Sequence, residues 1–209
     1  MQPFGTLTGR AAPLPQANID TDVIIRIERL TGAAPADLGR YAFEAWRYDA
    51  NGAEVPDFIL NQPPYREASI LLAGANFGCG SSREGAVTAL MGLGVRCVIA
   101  GSFGDIFYSN CCQNGLLPVR LPPAQIAALM RQAPVGAFTV DLADQIVRAP
   151  DGSAFQFEID PLRREALLEG LDDLGVTLKQ MDQVRAWQFA DRVARPWAWP
   201  TSSEIRGPA

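Results

Sequence analysis

Residues 75–86 read ANFGCGSSREGA, and among them stand the residue types that could handle a carboxylate. Gly78-Cys79-Gly80 is a glycine-rich turn, and Ser81-Ser82-Arg83-Glu84 reads as the opening of a helix. Glycines permit left-handed backbone and let a ligand approach the main chain closely. Ser81, followed three residues later by Glu84, has capping-box spacing, which marks a helix start. The first turn of such a helix offers unpaired N–H groups and a partial positive charge to an anion. Arg83 adds a planar, permanently charged fork that fits a carboxylate or a phosphate. The chemistry indicated is an anion site with two hydroxyls beside it. A plainer reading competes, because serines before a helix are commonly caps and nothing more. A dinucleotide fingerprint fits poorly. Arg83 stands where its third glycine belongs, and the next strand ends at Ala100-Gly101 without an acidic residue.

These residues need elements to position them. SILLAGA precedes the turn; RCVIAGSF, an amphipathic segment and LLPV follow it. Short apolar runs alternating with helical patterns predict a parallel β-α-β-α-β unit. The first of these strands should end near Ala75, so the turn faces the crevice past the carboxyl ends, where open α/β sheets bind ligands. A helix is expected from Ser82 to about Leu93, stopped at Gly94. Ser102 should cap a second helix, Phe103 to Gln113, with Gly115 past its end. A third helix follows Pro122, and alternation around Pro150-Asp151-Gly152 predicts a β-hairpin. Pro161 begins a helix through Leu168, Gly170 or Gly175 stops it, and Thr177 can cap the last helix. Toward the N-terminus, TLTGRAAPL reads as one short strand and NIDTD as a turn. Asp20 and Asp22 are too few to claim a metal. YAFEAWRY reads as a short helix, with turns at Asn51-Gly52 and NQPPYR. The end, TSSEIRGPA, should be disordered.

With 209 residues the chain suits one domain, 1–209, with residues 161–209 as a C-terminal helical extension packed on it. Apolar residues at 48% and charged residues at 20% describe a soluble globule. A net charge of −5 argues against nucleic acid as a partner. No run approaches a membrane span and the start lacks a signal-peptide core, so a cytoplasmic protein is expected. There are no histidines, which excludes that residue as base or ligand within the chain. Cys79, Cys97, Cys111 and Cys112 show no C-x-x-C spacing and should be reduced thiols. Cys97 and Cys111 should be buried, and Cys79, in the turn, could be exposed. An iron–sulfur cluster needs several thiolates brought together, so no metal site is expected here.

ANFGCGSSREGA followed by SFGDIFYSNCCQNGLLPV resembles the small, swivelling-domain subunit family of 3-isopropylmalate dehydratase, in the aconitase superfamily. NIDTDVII, RYDANGAEVPDFILNQPPYR and FEIDPLRREALLEGLDDLGVTL match the same family in the same order, from Leu7 to Arg195. The resemblance implies an α/β fold: a layered β/β/α aconitase-type swivelling domain with a parallel β-α-β-α-β core and added antiparallel strands. It implies a hydro-lyase subunit that isomerises 2-isopropylmalate and 3-isopropylmalate through isopropylmaleate, in leucine biosynthesis. By the same likeness Ser81 is the catalytic base, while Ser82, Arg83 and Gly80 bind substrate. No cofactor is expected in this chain; a 4Fe–4S cluster is expected in the partner large subunit. The implied partners are that large iron–sulfur subunit and a small dicarboxylate substrate, with no nucleic acid and no membrane.

Two stretches depart from the family pattern. Family members continue NIDTD-x-II with Pro, a basic residue and an F-L pair, where this chain has Arg26-Ile27-Glu28-Arg29-Leu30. The family's loop in this region contributes a substrate-contacting side. Arg26 and Arg29 are therefore candidates for a second carboxylate contact, although exposed arginines most often face solvent. The family also writes SREHAPWAL where SREGAVTAL stands. Glycine inside a helix costs up to about 1 kcal/mol relative to alanine. Gly85 thus suggests either a close-packed neighbour or relaxed selection. Two alternatives stay open: a hydro-lyase subunit for a homoaconitate, methylmalate or dimethylmalate type of substrate, or a non-catalytic paralogue that only binds a large subunit.

Overall fold

The stretch TLTGRAAPL folds as two strands rather than one: β1 (Thr6–Gly9) and β2 (Ala11–Leu14), which join different sheets. Its two halves differ in burial. β1 alternates exposed and half-buried positions, as suits a sheet with one wet face; β2 is almost wholly buried, as suits a sheet covered on both. Gly9, at the break, leaves room for a Cβ only if the Ser69 hydroxyl turns away, since the Cβ would stand 2.0 Å from Ser69 Oγ. The computed structural model describes residues 1–80 and 84–200.

After β2 the chain makes a long excursion. It runs through α1 (Thr21–Ile24), α2 (Ile27–Gly32), a 3-10 turn (Pro35–Tyr41), α3 (Glu44–Arg47) and a second 3-10 turn (Ile59–Asn61). It then re-enters the sheet as β3 (Ile70–Ala73). From there the expected alternation holds: α4 (Glu84–Gly92), β4 (Cys97–Ala100), α5 (Asp105–Asn114) and β5 (Leu117–Arg120). All pairings in the order β2-β3-β4-β5 are parallel. β3 and β4 are buried at every position, as central strands of a parallel sheet must be. Gly94, at φ +101°, and Gly115, at φ +88°, end the two crossover helices in left-handed backbone.

Ser102 does not cap α5. Parallel pairing continues past the ends of β3 and β4: Phe77 N–H donates to Ser102 O at 3.0 Å, and Gly104 N–H donates to Phe77 O at 3.0 Å. This holds residues 102–104 extended, so the helix cannot begin before Asp105. The Ser102 hydroxyl instead accepts from Asn76 N–H at 2.8 Å.

Past β5, α6 (Pro123–Gln132) leads into a meander of β6 (Phe138–Asp141), β7 (Ile146–Arg148) and β8 (Ala154–Gln156). With β1 it forms an antiparallel sheet in the order β1-β6-β7-β8. The β7–β8 turn is the hairpin read at Pro150-Asp151-Gly152. The β6–β7 turn carries Gln145 at φ +55°, and no residue there announces it. The helix α7 (Pro161–Glu169) is capped by Asp160, whose Oδ1 accepts from Leu162 and Arg163 N–H, and ends at Gly170, φ +71°.

The chain divides into two compact units, Met1–Leu171 and Asp172–Ala209. α7 belongs to the first: Leu167 is fully buried and accepts from Phe4 N–H at 2.8 Å. The second unit holds α8 (Asp173–Leu178), α9 (Met181–Ala194) and a short 3-10 turn (Pro196–Ala198). Gly175 lies inside α8, and Thr177 caps nothing; its hydroxyl donates back to Asp173 O while Asp172 caps the helix. Residues 201–209, the expected disordered end, lie outside the described residues.

Candidate functional site

The glycine turn rests on an aromatic floor. Phe77, Phe103 and Phe107 pack together, with Phe77 and Phe107 edge to face at 5.4 Å between centroids. Gly78 lies directly over this floor, since a Cβ on it would stand 2.2 Å from Phe107 Cγ. Its φ of +69° demands glycine as well. Gly80, at φ +93°, is exposed and has room for a Cβ, 3.6 Å from Asp20 Cβ; the backbone angle, not the space, selects glycine there.

The NIDTD segment is laced to this turn. Asn18 N–H donates to Ala75 O at 2.9 Å, Gly78 N–H to Ile19 O at 2.7 Å, and Thr21 N–H to Cys79 O at 3.0 Å. Asp20 caps α1, accepting from Val23 N–H at 2.8 Å. The turn reading of NIDTD is therefore right locally, and the segment is also hydrogen-bonded along the glycine turn. Asn18 and Asn76 face each other across the seam, both in left-handed backbone. Neither stood out in the sequence, although asparagine is the side-chain-bearing residue best suited to that conformation.

Ser81, Ser82 and Arg83 lie outside the described residues; Gly80 and Glu84 bracket them, and α4 begins at Glu84. Arg29 is engaged elsewhere. Its guanidinium grips Glu44 with two bonds, Nε to Oε2 at 2.7 Å and Nη2 to Oε1 at 2.5 Å, and lies 4.3 Å over the Tyr41 ring. That bidentate contact holds the Glu44 carboxyl below the usual carboxylate range. Arg29 braces the excursion after β2. Arg26 is different: its side chain is 56% exposed, with Glu28 at 3.6 Å as its ionic neighbour. It lines an open groove of about 650 Å³ with Arg40, Tyr41, Glu44 and Tyr48, a groove that none of residues 76–80 lines. Gly85 is closely packed, since a Cβ there would stand 2.3 Å from Leu30 Cδ2.

Cys97 and Cys111 are buried, and burial pushes both thiols well up from their ordinary range. Cys112 is buried too; Cys79 is half-buried, and all four are free. Among the described residues, no three Cys, Asp or Glu side chains converge as a metal site. Nor, among them, is any helix long and apolar enough to cross a membrane.

Residues 1–124 match the family model of the aconitase C-terminal domain, and residues 124–161 match a model described as LeuD_N. A protein of Paramagnetospirillum magneticum named 3-isopropylmalate dehydratase small subunit is 50% identical over 200 residues, covering 94% of this chain and all of that protein. One of the same name from Gluconacetobacter diazotrophicus is 52% identical over 200 residues, covering 94% of this chain and 97% of its own. Among solved structures, that of 3-isopropylmalate dehydratase (leuD) from Methanocaldococcus jannaschii aligns with a TM-score of 0.64 at 28% identity. It covers 88% of this chain and 99% of its own.

Proposed function

This chain belongs to the family of 3-isopropylmalate dehydratase small subunits, which are hydro-lyase subunits, and we propose that it contributes a serine base and a carboxylate-binding arginine to a site shared with a large subunit. The reaction is the interconversion of 2-isopropylmalate and 3-isopropylmalate through isopropylmaleate, a cytoplasmic step of leucine biosynthesis. The observation that carries this reading is likeness at about half identity across 94% of the chain to proteins of that name.

Dehydration removes a proton from a carbon next to a carboxylate while hydroxide leaves the neighbouring carbon. Ser81 takes that proton on its oxygen. A serine is a weak base, so its pKa must be lowered by nearby N–H groups and positive charge, which Gly80, Ser82 and the start of α4 supply. Arg83 clamps one substrate carboxylate through its fork, and the Ser82 hydroxyl donates to the same group. Arg26 offers a contact for the second carboxylate; Arg29 has no part in it, because Glu44 holds its fork. A 4Fe–4S cluster held by the large subunit would supply the Lewis acid for the departing hydroxyl. Returning the proton and hydroxyl in the opposite sense yields the other isomer.

The altered run from Arg26 to Leu30 favours one second reading: the same chemistry on a homoaconitate, methylmalate or dimethylmalate type of substrate. The packing of Leu30 onto Gly85 supports a position held by its neighbour and weakens the case for a non-catalytic paralogue. The test is anaerobic reconstitution with a cluster-loaded large subunit, following isopropylmaleate by its ultraviolet absorbance. Turnover should require this chain and collapse in Ser81→Ala and Arg83→Lys. Activity on another malate derivative alone would move the substrate, and none on any of them would sink the reading.

A further inference from the structure

The excursion between Ile24 and Phe43 is a closed arm. Phe43 N–H donates to Ile24 O at 2.9 Å, so its two ends meet, with α2 and the first 3-10 turn between them. Two contacts seat the arm on α4. At one, Gly39 meets Gly92 backbone to backbone: a Cβ on Gly39 would stand 2.1 Å from Gly92 C, and one on Gly92 would stand 2.9 Å from Gly39 N. At the other, Leu30 lies on Gly85, with Cδ2 at 2.3 Å and Cδ1 at 3.1 Å from where a Cβ would be. Leu30 thus fills the space that a side chain at position 85 would need. Gly85 is the second described residue of α4 and follows Arg83 by two positions in sequence. Further along the arm, Arg29 is pinned by Glu44 and Tyr41, while Arg26 at its root remains exposed.

We propose that Leu30 and Gly85 are a positioning pair, which seats the arm on α4 and so sets the separation between Arg26 and the start of that helix. This rests on the function proposed above, in which Arg26 and Arg83 each hold one carboxylate of the same substrate. A two-point grip tolerates little change in the distance between its points, because a displaced point no longer reaches its carboxylate and its share of substrate binding is lost. The two departures from the family pattern, at residues 26–30 and at Gly85, are then one change made in two places. A side chain at 85 claims the space that Leu30 fills, so Leu30 must give up its seat on α4.

The reconstituted enzyme tests this with three variants: Gly85→Leu, Leu30→Gly, and the double variant that combines them and so exchanges the two side chains. Gly85→Leu overpacks the seat and should raise KM about tenfold with kcat within about threefold of wild type, since uniform binding is what it removes. The exchange variant conserves the total volume and should return KM to within about threefold of wild type. A merely structural role would act otherwise, lowering the active fraction and hence apparent kcat at constant KM. That result overturns the proposal. So does an exchange variant whose KM rises by the product of the single effects. Thermal unfolding of the isolated chain reads the seat without any turnover: leucine is a better helix former than glycine, yet Gly85→Leu should melt lower than wild type and the exchange should recover the loss. If wild type turns over no malate derivative while this pattern of melting holds, the function reading has failed and the seat has not. If Gly85→Leu melts higher, the seat itself is refuted.

Discussion

The side-chain amide of Asn76 donates to Asn18 Oδ1 at 2.8 Å, and both residues hold left-handed backbone, at φ +59° and +56°. This clasp joins the NIDTD segment to the glycine turn. Left-handed backbone costs most side-chain-bearing residues about 1–2 kcal/mol, and asparagine is among the few that visit it routinely. Asn18→Ala and Asn76→Ala should each destabilise the chain by about 1–2 kcal/mol in urea unfolding. Their effects should add to less than the sum in the double variant, because they share one hydrogen bond. Asn76→Gly keeps the backbone freedom and should cost less than Asn76→Ala. Equal costs for the two would contradict the backbone argument.

Gly39 and Gly92 touch through main-chain atoms, which cannot rotate away as a side chain can. Gly39→Ala and Gly92→Ala should each destabilise by about 1–3 kcal/mol. The sign is the informative part for Gly92, since glycine to alanine in an unobstructed helix stabilises by up to about 1 kcal/mol. A higher melting temperature for Gly92→Ala would mean that the arm does not sit against α4 as described.

The arm is also held by charge. Arg29 lowers the Glu44 carboxyl below its ordinary value, and Arg66 does the same for Glu54 through a bidentate pair at 2.7 Å. The unfolded chain therefore takes up protons on these groups at a higher pH than the folded chain does. Their stabilisation is present above about pH 4.3 and is lost as the pH falls through the lower folded-state values. Glu44→Gln should be less stable than wild type at pH 7, and the gap should close toward pH 3. Both pairs are partly exposed, so high salt should narrow the gap as well. A gap that stays constant with pH would show that the pair contributes through packing alone.

Cys79 differs from the other thiols in exposure. It sits between Gly78 and Gly80, with its carbonyl already bound by Thr21 N–H. Brief treatment of the native chain with a maleimide should add one label, found at Cys79 by peptide mass spectrometry. Cys97, Cys111 and Cys112 should react after unfolding. Labelling at Cys79 should abolish turnover in the reconstituted enzyme, because the adduct adjoins Gly80 and Ser81, the residues proposed to meet substrate. Full activity with Cys79 labelled would place the reacting atoms elsewhere.

The amino-acid sequence by itself determined the parallel core, its crossover helices and the family. Each rests on information local in the chain: apolar runs of strand length, glycines where left-handed backbone ends a helix or makes a turn, and motifs in a fixed order. Gly94 and Gly115 stop helices where they were read to, Gly170 rather than Gly175 stops α7, and the hairpin turns at Pro150-Asp151-Gly152. Tertiary structure decided what depends on partners distant in sequence. Asn18 and Asn76 are 58 residues apart, Arg29 and Glu44 15 apart, and no periodicity links either pair. Ser102 looked like a cap because serine before a helix usually is one, and only the continued pairing of Phe77 with Phe103 keeps that segment extended. TLTGRAAPL splits because its halves meet different neighbours, one sheet covered on both faces and one not. Gly85 by itself allows either a close-packed neighbour or relaxed selection; Leu30, 55 residues earlier, stands in the space it leaves. A glycine's conformational freedom is written in its own residue type; the atom that requires its missing side chain belongs to another part of the chain, brought there by folding.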